Sequence, residues 1–243
     1  MAKKQNPDTA SVKKAPVTLS IDIGGSKIKA CTLNKNGKIL HEYTKVLTPQ
    51  PADPKNVLNS IKELVKDFKY DRISAGFPGY VRDGIVHTAP NLGTDYWAGI
   101  NLAEELMVTL GKPARVVNDA DLLGLGCVSG KGFEMMATLG TGFGTAFYLD
   151  GKVLPHLEVA HHPIYKGKDY DAFIGEAAFN KTGKRKWNKR MQYVLSVIKT
   201  VFNYERLYLG GGLSKKLDFE LDDNIILVNN IDGINGGVKL WEQ

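Results

Sequence analysis

Apolar and polar positions along the chain fall into short runs with two kinds of spacing. Residues 17–23 interleave β-branched and other apolar side chains with single polar ones, which predicts a strand. Gly24-Gly25-Ser26-Lys27 interrupts the run, and a second apolar run follows at 28–33. Asn34-Lys35-Asn36-Gly37 is then a hairpin turn into a third strand at 39–47. Past Pro49, Pro51 and Pro54 the spacing becomes helical, with Val57, Leu58, Ile61, Leu64, Val65 and Phe68 at helical intervals. A short strand at 72–77 precedes Pro78-Gly79, and a hairpin surrounds Asp83-Gly84. A loop at 89–92 and a helix at 102–110, stopped by Gly111 and Pro113, complete the first half.

The second half repeats the theme. A strand at 113–118 drops onto a helix from Asp119. A run at 133–139 then enters the turn Gly140-Thr141-Gly142-Phe143-Gly144 and leaves it as a strand at 145–149. After a histidine-bearing irregular stretch, helical spacing covers 169–180 and 188–203. A buried strand at 206–209 meets Gly210-Gly211-Gly212, the last strand is 225–228, and a helix starts near Asn235. Asp22 to Ser26 and Leu139 to Gly144 are both glycine turns between two strands. The repetition predicts an α/β protein with two similar lobes, 17–112 and 113–243, facing a cleft behind a tail at 1–16.

Composition narrows the class. The 243 residues suffice for one or two domains, and with 43% apolar and 24% charged residues the chain reads as soluble and globular. No apolar run approaches the ~20 residues of a membrane span. Residues 1–14 are polar and basic and lack a hydrophobic signal core, so they read as a disordered tail on a cytoplasmic protein with no membrane partner. Cys31 and Cys127 sit among small and apolar residues, as buried thiols do. The net charge of +6 is uneven: 181–190 carries six cations and no anion. A local anionic partner therefore fits better than a nucleic acid.

Candidate chemistry starts at Asn118-Asp119-Ala120-Asp121, polar residues where a strand ends and a helix begins. Open α/β sheets bind ligands beyond the carboxyl ends of their strands, and a carboxylate there can take a proton from a hydroxyl. A helix N-cap at Asn118 or Asp119 explains the same residues more simply. Three glycine turns, at Gly24-Gly25-Ser26, Gly140-Thr141-Gly142 and Gly210-Gly211-Gly212, can each present backbone N–H groups to a phosphate. None is a Walker A loop or a dinucleotide fingerprint. Asp22 could hold Mg²⁺, directly or through water, and Lys27 could meet a phosphate oxygen. Glu158, His161 and His162 suit hydrogen bonding to a polyol, a metal site or an ordinary surface loop, and no nearby cysteine favours zinc. The run holding Lys184, Arg185 and Lys186 around Trp187 is either a solvated helix face with one packed aromatic or a track for a polyanion.

Taken together these segments resemble the ROK family, and most of all its polyphosphate glucokinase branch. The resemblance runs from about residue 17 to 237. It rests on Asp22-Ile23-Gly24-Gly25-Ser26-Lys27-Ile28-Lys29, Gly76-Phe77-Pro78-Gly79, Ala89-Pro90-Asn91-Leu92 with Trp97, and Asn118-Asp119-Ala120-Asp121. It continues through Thr138 to Gly144, Glu158-Val159-Ala160-His161 and Leu209 to Lys215. It implies an actin-like ATPase fold of two ribonuclease H-like lobes around a central cleft. It also implies phosphoryl transfer to the 6-hydroxyl of glucose, with Asp119 as general base. Gly79, Asn91, Asn118, Glu158, His161 and Asp171 would contact the sugar. Gly24, Gly25, Ser26, Lys27, Gly140, Thr141, Gly142, Gly211 and Gly212, with Lys184, Arg185 and Lys186, would hold donor phosphates. Mg²⁺ with polyphosphate or ATP, and a homodimer, belong to the same implication. The family usually has Glu-Leu-Gly-His where this chain has Glu158-Val159-Ala160-His161, and a family Glu falls on Asp171. The family's cysteine-rich zinc motif is absent, so no structural zinc is expected, and residues 1–16 are too few for its DNA-binding helix-turn-helix. A kinase for mannose or an amino sugar, and a non-catalytic sugar sensor, stand as alternatives.

Overall fold

The computed structural model describes residues 15–229 and 232–243, and most of the expected tail, 1–14, lies outside the described residues. Strand β1 (Thr18–Ile23) turns through the first glycine loop into antiparallel β2 (Lys27–Leu33), with Asp22 opposite Lys29. The hairpin turn then leads to β3 (Ile39–Leu47) on the sheet's edge. Helix α1 (Pro54–Leu64) starts where Asp53 accepts the Asn56 N–H, with Pro54 in the first helical position. β4 (Arg72–Phe77) pairs parallel to β1. The small hairpin β5 (Val81–Arg82) and β6 (Ile85–Val86), the single turn α2 (Thr94–Trp97) and helix α3 (Leu102–Leu110) follow. β7 (Ala114–Asn118) then pairs parallel to β4, giving the order β3-β2-β1-β4-β7. Leu19, Ile21, Ile23, Ile28, Phe77 and Trp97 are fully buried in this lobe's core. Strand β7, placed by the sequence pattern at the head of the second lobe, is thus the last strand of the first sheet.

The second sheet has the same plan. After α4 (Asp119–Cys127), β8 (Phe133–Leu139) and β9 (Phe143–Leu149) pair antiparallel around the second glycine loop, and β10 (Lys152–Val153) adds an edge. A 3-10 turn at Val159–His161, the ribbon β11 (Pro163–Tyr165) with β12 (Lys168–Asp169), and helices α5 (Tyr170–Ile174) and α6 (Glu176–Phe202) come next. β13 (Arg206–Gly210) and β14 (Ile225–Leu227) lie parallel to β8, in the order β10-β9-β8-β13-β14. Two sheets of three antiparallel and two further parallel strands, with helices between, make the actin-like architecture of paired ribonuclease H-like lobes.

Two features differ from the sequence pattern. The helical spacing expected at 169–180 and 188–203 becomes the short α5 and a long α6 that carries the basic run on helix. Only Gly183 breaks the course of α6, at φ 74° and ψ 162°. Lysine and arginine are good helix formers, so a polar run erases the apolar period without ending the helix. The C-terminus also does not stay with the second lobe. After β14 the chain returns to the first sheet as α7 (Gly236–Lys239), where Ser74 Oγ on β4 donates to the Gly237 carbonyl at 2.6 Å. Trp241 Nε1 donates to Ser74 Oγ at 2.9 Å, and the Arg115 and Arg72 guanidiniums lie 4.7 and 5.2 Å from its ring centroid.

Helix α4 joins the lobes. Its apolar residues Ala120, Leu122 and Leu125 pack with Met136, Ala146, Tyr148 and Tyr208 of the second sheet. Gly124 approaches the Tyr148 hydroxyl so closely that any Cβ would overlap it. That hydroxyl donates to the Asp121 carbonyl at 2.8 Å. Among the described residues no helix is long and apolar enough to cross a membrane.

The C-terminal clasp makes a stability prediction. Trp241→Ala removes the Ser74 hydrogen bond and the stacking on both arginines, and is expected to cost about 2–3 kcal/mol. The urea midpoint should fall while the slope of the unfolding transition stays constant.

Candidate active site

Parallel pairing brings several of the expected residues onto one edge. β1, β4 and β7 run in the same direction, so Asp22, Gly76 and Val117 share one row and Asn118 stands just beyond it. In the second sheet Thr138 on β8 faces Gly210 on β13 in the same way. Strand ends from both lobes therefore open onto one cleft. A cavity of about 350 Å³ there is lined by Gly24, Gly25, Gly79, Asn91, Asn118, Asp119, Gly140 to Gly144, Glu158, His161, Asp171 and Gly211. A second chamber of about 170 Å³ is lined by Asp22, Tyr43, Leu123, Ile234 and others. The two chambers share Asp119, Thr138 and Gly211. A larger groove of about 560 Å³ lies at the opposite ends of the strands, among Lys62, Lys66, Lys69 and Lys112. Its carboxylate, Asp71, accepts the Val17 N–H at 2.8 Å.

Asp119 is held by the start of α4. The Ala120 N–H is shared by Asn118 Oδ1 and Asp119 Oδ1, each at 2.8 Å. Asn118 Nδ2 donates to the Gly79 carbonyl at 3.0 Å. The capping and the chemical interpretations of this tetrad are therefore compatible: Asn118 is buried as a cap, while the Asp119 side chain opens to cleft solvent. Protein atoms surround the mouth of the cleft, and burial, followed by the charge of Asp22, pushes that carboxylate up to about 7. Water in the open cleft screens part of this penalty, and a sugar that displaces the water removes the screening.

The glycine turns are fixed by few, specific contacts. Thr48 Oγ1 donates to the Gly24 carbonyl at 2.6 Å, and Phe143 N–H donates to Asp171 Oδ1 at 2.7 Å. Burial raises Asp171, against the pull of that N–H. Gly211, at φ 86°, runs so near the Leu139 carbonyl that only a residue without Cβ fits. Ser26, Lys27 and Gly212 line neither chamber, and Lys184, Arg185 and Lys186 lie outside the cleft on α6. Lys184 instead approaches Asp218 at 3.4 Å, and Trp187 is fully buried with Nε1 bonded to the Ile174 carbonyl, as the packed-aromatic interpretation requires.

Three residues missed by sequence reasoning stand out. Lys29, on the same face of β2 as Lys27, pairs with Asp22 Oδ2 at 2.7 Å. Register across the glycine turn could have indicated it. Thr138 sits where the chambers meet. His156 lies with its side chain 4% exposed, Nδ1 3.2 Å from Asp121 Oδ1 and Nε2 3.5 Å from Glu158 Oε1. Burial disfavours the charged ring, but the Asp121 hydrogen bond and the nearby Asp121 and Glu158 carboxylates outweigh it and push His156 up to about 9. Burial also pushes Asp121 upward, and the two partners compete for one proton. Both ring nitrogens face carboxylate oxygens, so the proton belongs on His156. The close approach of the His156 ring and its charge in turn lower Glu158. Among the described residues no group of three or more His, Cys, Asp or Glu side chains is arranged to hold a metal ion.

The chain is similar to known proteins along most of its length. The ROK family model matches residues 18–158. Polyphosphate glucokinase of Mycobacterium leprae is 33% identical over 222 residues, covering 87% of this chain and 68% of that protein. The Mycobacterium tuberculosis polyphosphate glucokinase is 32% identical over 209 residues, covering 82% of this chain and 78% of that protein. The crystal structure of an inorganic polyphosphate/ATP-glucomannokinase from Arthrobacter sp. strain KM superposes with a TM-score of 0.82 at 32% identity, covering 93% of this chain and 97% of that one.

The raised Asp119 makes a linkage prediction. The folded state holds this proton to about pH 7, whereas the unfolded chain releases it near 3.8, so stability drains away as pH climbs between those values. Asp119→Asn has no such loss. It should melt at a higher temperature than wild type at pH 8, with the gap closing toward pH 4, as followed by calorimetry across pH.

Proposed function

The chain belongs to the ROK family and is a sugar kinase, and on that premise we propose that it phosphorylates the 6-hydroxyl of glucose with Asp119 as general base. The donor in this proposal is inorganic polyphosphate, with ATP as a second donor, and the product is glucose 6-phosphate. The observation that carries it is the position of Asp119. It stands where the two chambers of the cleft meet, in one cavity with the polyol-binding candidates and the glycine turns. The cavity is of the size that small ligands use, roughly 300–1,000 Å³.

In the reaction the sugar O6 forms a bond to the terminal phosphorus of the donor as the bridging P–O bond breaks. Asp119 accepts the O6 proton. A proton affinity near neutrality suits this task, because a base works best when its pKa lies near the operating pH. Asn91, Glu158, His161 and Asp171 hold the remaining hydroxyls, while Asn118 keeps α4 and Gly79 in place. Asp171 also holds the Gly142-Phe143 turn, so the sugar side and the phosphate side share one carboxylate. The rest is positioning and charge stabilisation, as in other phosphoryl transfers.

Mg²⁺ fits the donor set. It typically keeps several waters and takes one or two carboxylates plus substrate phosphates, rather than an all-protein cage. Asp22 supplies the carboxylate, and since Lys29 holds its Oδ2, contact through a metal-bound water is the simpler arrangement. When bound, the ion would neutralise charge that develops on the donor phosphates.

The polyphosphate assignment is supported by how α6 meets the third glycine turn. Asn188 Nδ2 donates to the Lys216 carbonyl, and the Asp218 N–H donates to Asn188 Oδ1, each at 3.0 Å. These bonds bring the Lys184 to Lys186 stretch beside Lys215 and Lys216, a few residues beyond Gly211. A long anionic chain leaving the cleft at Gly211 would meet these cations. Mannose is a second candidate acceptor, favoured by the structural similarity to a glucomannokinase. A panel of hexoses with one donor separates the two.

Two outcomes test this. Asp119→Asn should lower kcat at least about a hundredfold, with only modest weakening of glucose binding by calorimetry. Near-normal turnover would rule out the base role. Replacing Lys184, Arg185 and Lys186 with alanine should raise the KM for long-chain polyphosphate far more than that for ATP, with a difference that shrinks at high salt. Equal effects on the two donors would remove the polyphosphate track.

A further inference from the structure

The pair formed by Asp121 and His156 takes no part in the chemistry above, yet it is among the most enclosed polar groupings in the protein. Asp121 is 3% exposed and lines neither chamber of the cleft. Its carboxylate is aimed instead at His156 Nδ1, across 35 residues of sequence. The second ring nitrogen, Nε2, is buried with no hydrogen-bond partner, and its nearest acceptor is Glu158 Oε1 at 3.5 Å. Leaving a buried donor unpaired is costly, so the ring favours whichever Glu158 position brings that carboxylate toward it. A neutral imidazole donates from one nitrogen only, and a ring between two carboxylates uses both.

We propose that His156 is a positioning residue, held as an imidazolium by Asp121, which fixes the Glu158 carboxylate for hydrogen bonding to the sugar. The inference deepens the glucose assignment and rests on it. Groups from several elements face the ring. Asp119 and Asp121 face it from α4, and Glu158 and His161 belong to its own loop. From the first lobe, the Tyr80 ring stacks on it at 6.1 Å and 19°, with His87 stacked on Tyr80 at 4.8 Å. The acidic groups closest to the ring outnumber its single positive charge, so the charge stays on the ring. The upward push on His156 and the lowering of Glu158 agree with this. His156 thereby links three separate pieces: the first turn of α4, the loop that carries Glu158, and the Gly79-Tyr80 segment of the first lobe. The same helix turn that presents Asp119 to the sugar 6-hydroxyl thus also sets, through Asp121 and His156, the carboxylate that holds another hydroxyl.

The test separates position from chemistry and fold. Nuclear magnetic resonance of ring-labelled histidine in the full chain should show His156 titrating at about 9, and lower in Asp121→Asn. Calorimetry in an Asp119→Asn background, which removes the titration of that carboxylate, should show glucose affinity constant through neutral pH and falling above pH 9. His156→Asn should bind glucose about 10- to 100-fold more weakly, the worth of a hydrogen bond to a charged group, and without that alkaline fall. Its kcat at saturating sugar should change by less than its affinity. A purely structural ring would leave the alkaline limb in place. A His156 that titrates near 6.5, or a folded His156→Asn with wild-type glucose affinity, overturns the proposal alone. If wild type binds no glucose while the ring titrates as expected, the glucose assignment falls and the proposal falls with it.

Discussion

Helix α4 can occupy only one place, and the cleft is built outward from it. Gly124 lies against the Tyr148 hydroxyl and Gly126 against Gly233, contacts that leave no room for side chains. Tyr148 then bonds the carbonyls of Ala120 and Asp121, so the second sheet grips the helix at its first turn. From the other side, Asn118 ends β7 in the first sheet and caps the same turn. A carboxylate attached to that turn has little freedom relative to either lobe. Such pre-set geometry is what an in-line transfer between two bound molecules demands.

The same crowding governs the electrostatics. Asp22, Asp119, Glu158 and Asp171 line the cleft that takes a polyanionic donor in the proposed reaction, with Asp121 behind them. Lys29 and His156 are the cations in contact with them, and each is committed to a particular carboxylate. The backbone supplies the remaining positive potential, through N–H groups of the glycine turns at the ends of β1, β8 and β13. Asp119, on which Asp22 exerts the largest charge effect and which forms no ion pair of its own among the described residues, is left with the affinity for protons that its proposed role needs.

Much of the cleft is legible in residue type and spacing. The glycine turns, the strand ending at Asn118 and the alternation of strands needed only residue type and spacing. Lys27 was singled out because it follows the first glycine turn, yet Lys29 meets Asp22: strand register, a pairing across the turn, chooses between two lysines on one face. Asp121 had no assignable role because its partner is 35 residues away, in a stretch without a regular period. The basic run around Lys184 was visible as charge. That it lies on a helix beside Lys216 depended on the side chain of Asn188.

By itself the sequence determined the local geometry: where strands stop, where helices can start, and where the backbone can bend closely enough to surround an anion. Those follow from side-chain branching, caps and glycine, which act over a few residues. The tertiary structure alone decided which ends meet. Strand β7 joins the first sheet and the C-terminal segment returns to it, because hydrogen-bonding edges and apolar faces seek partners without regard to chain order. The cleft, the capping of Asp119 between two lobes and the burial of His156 between two carboxylates exist only once those long-range contacts close.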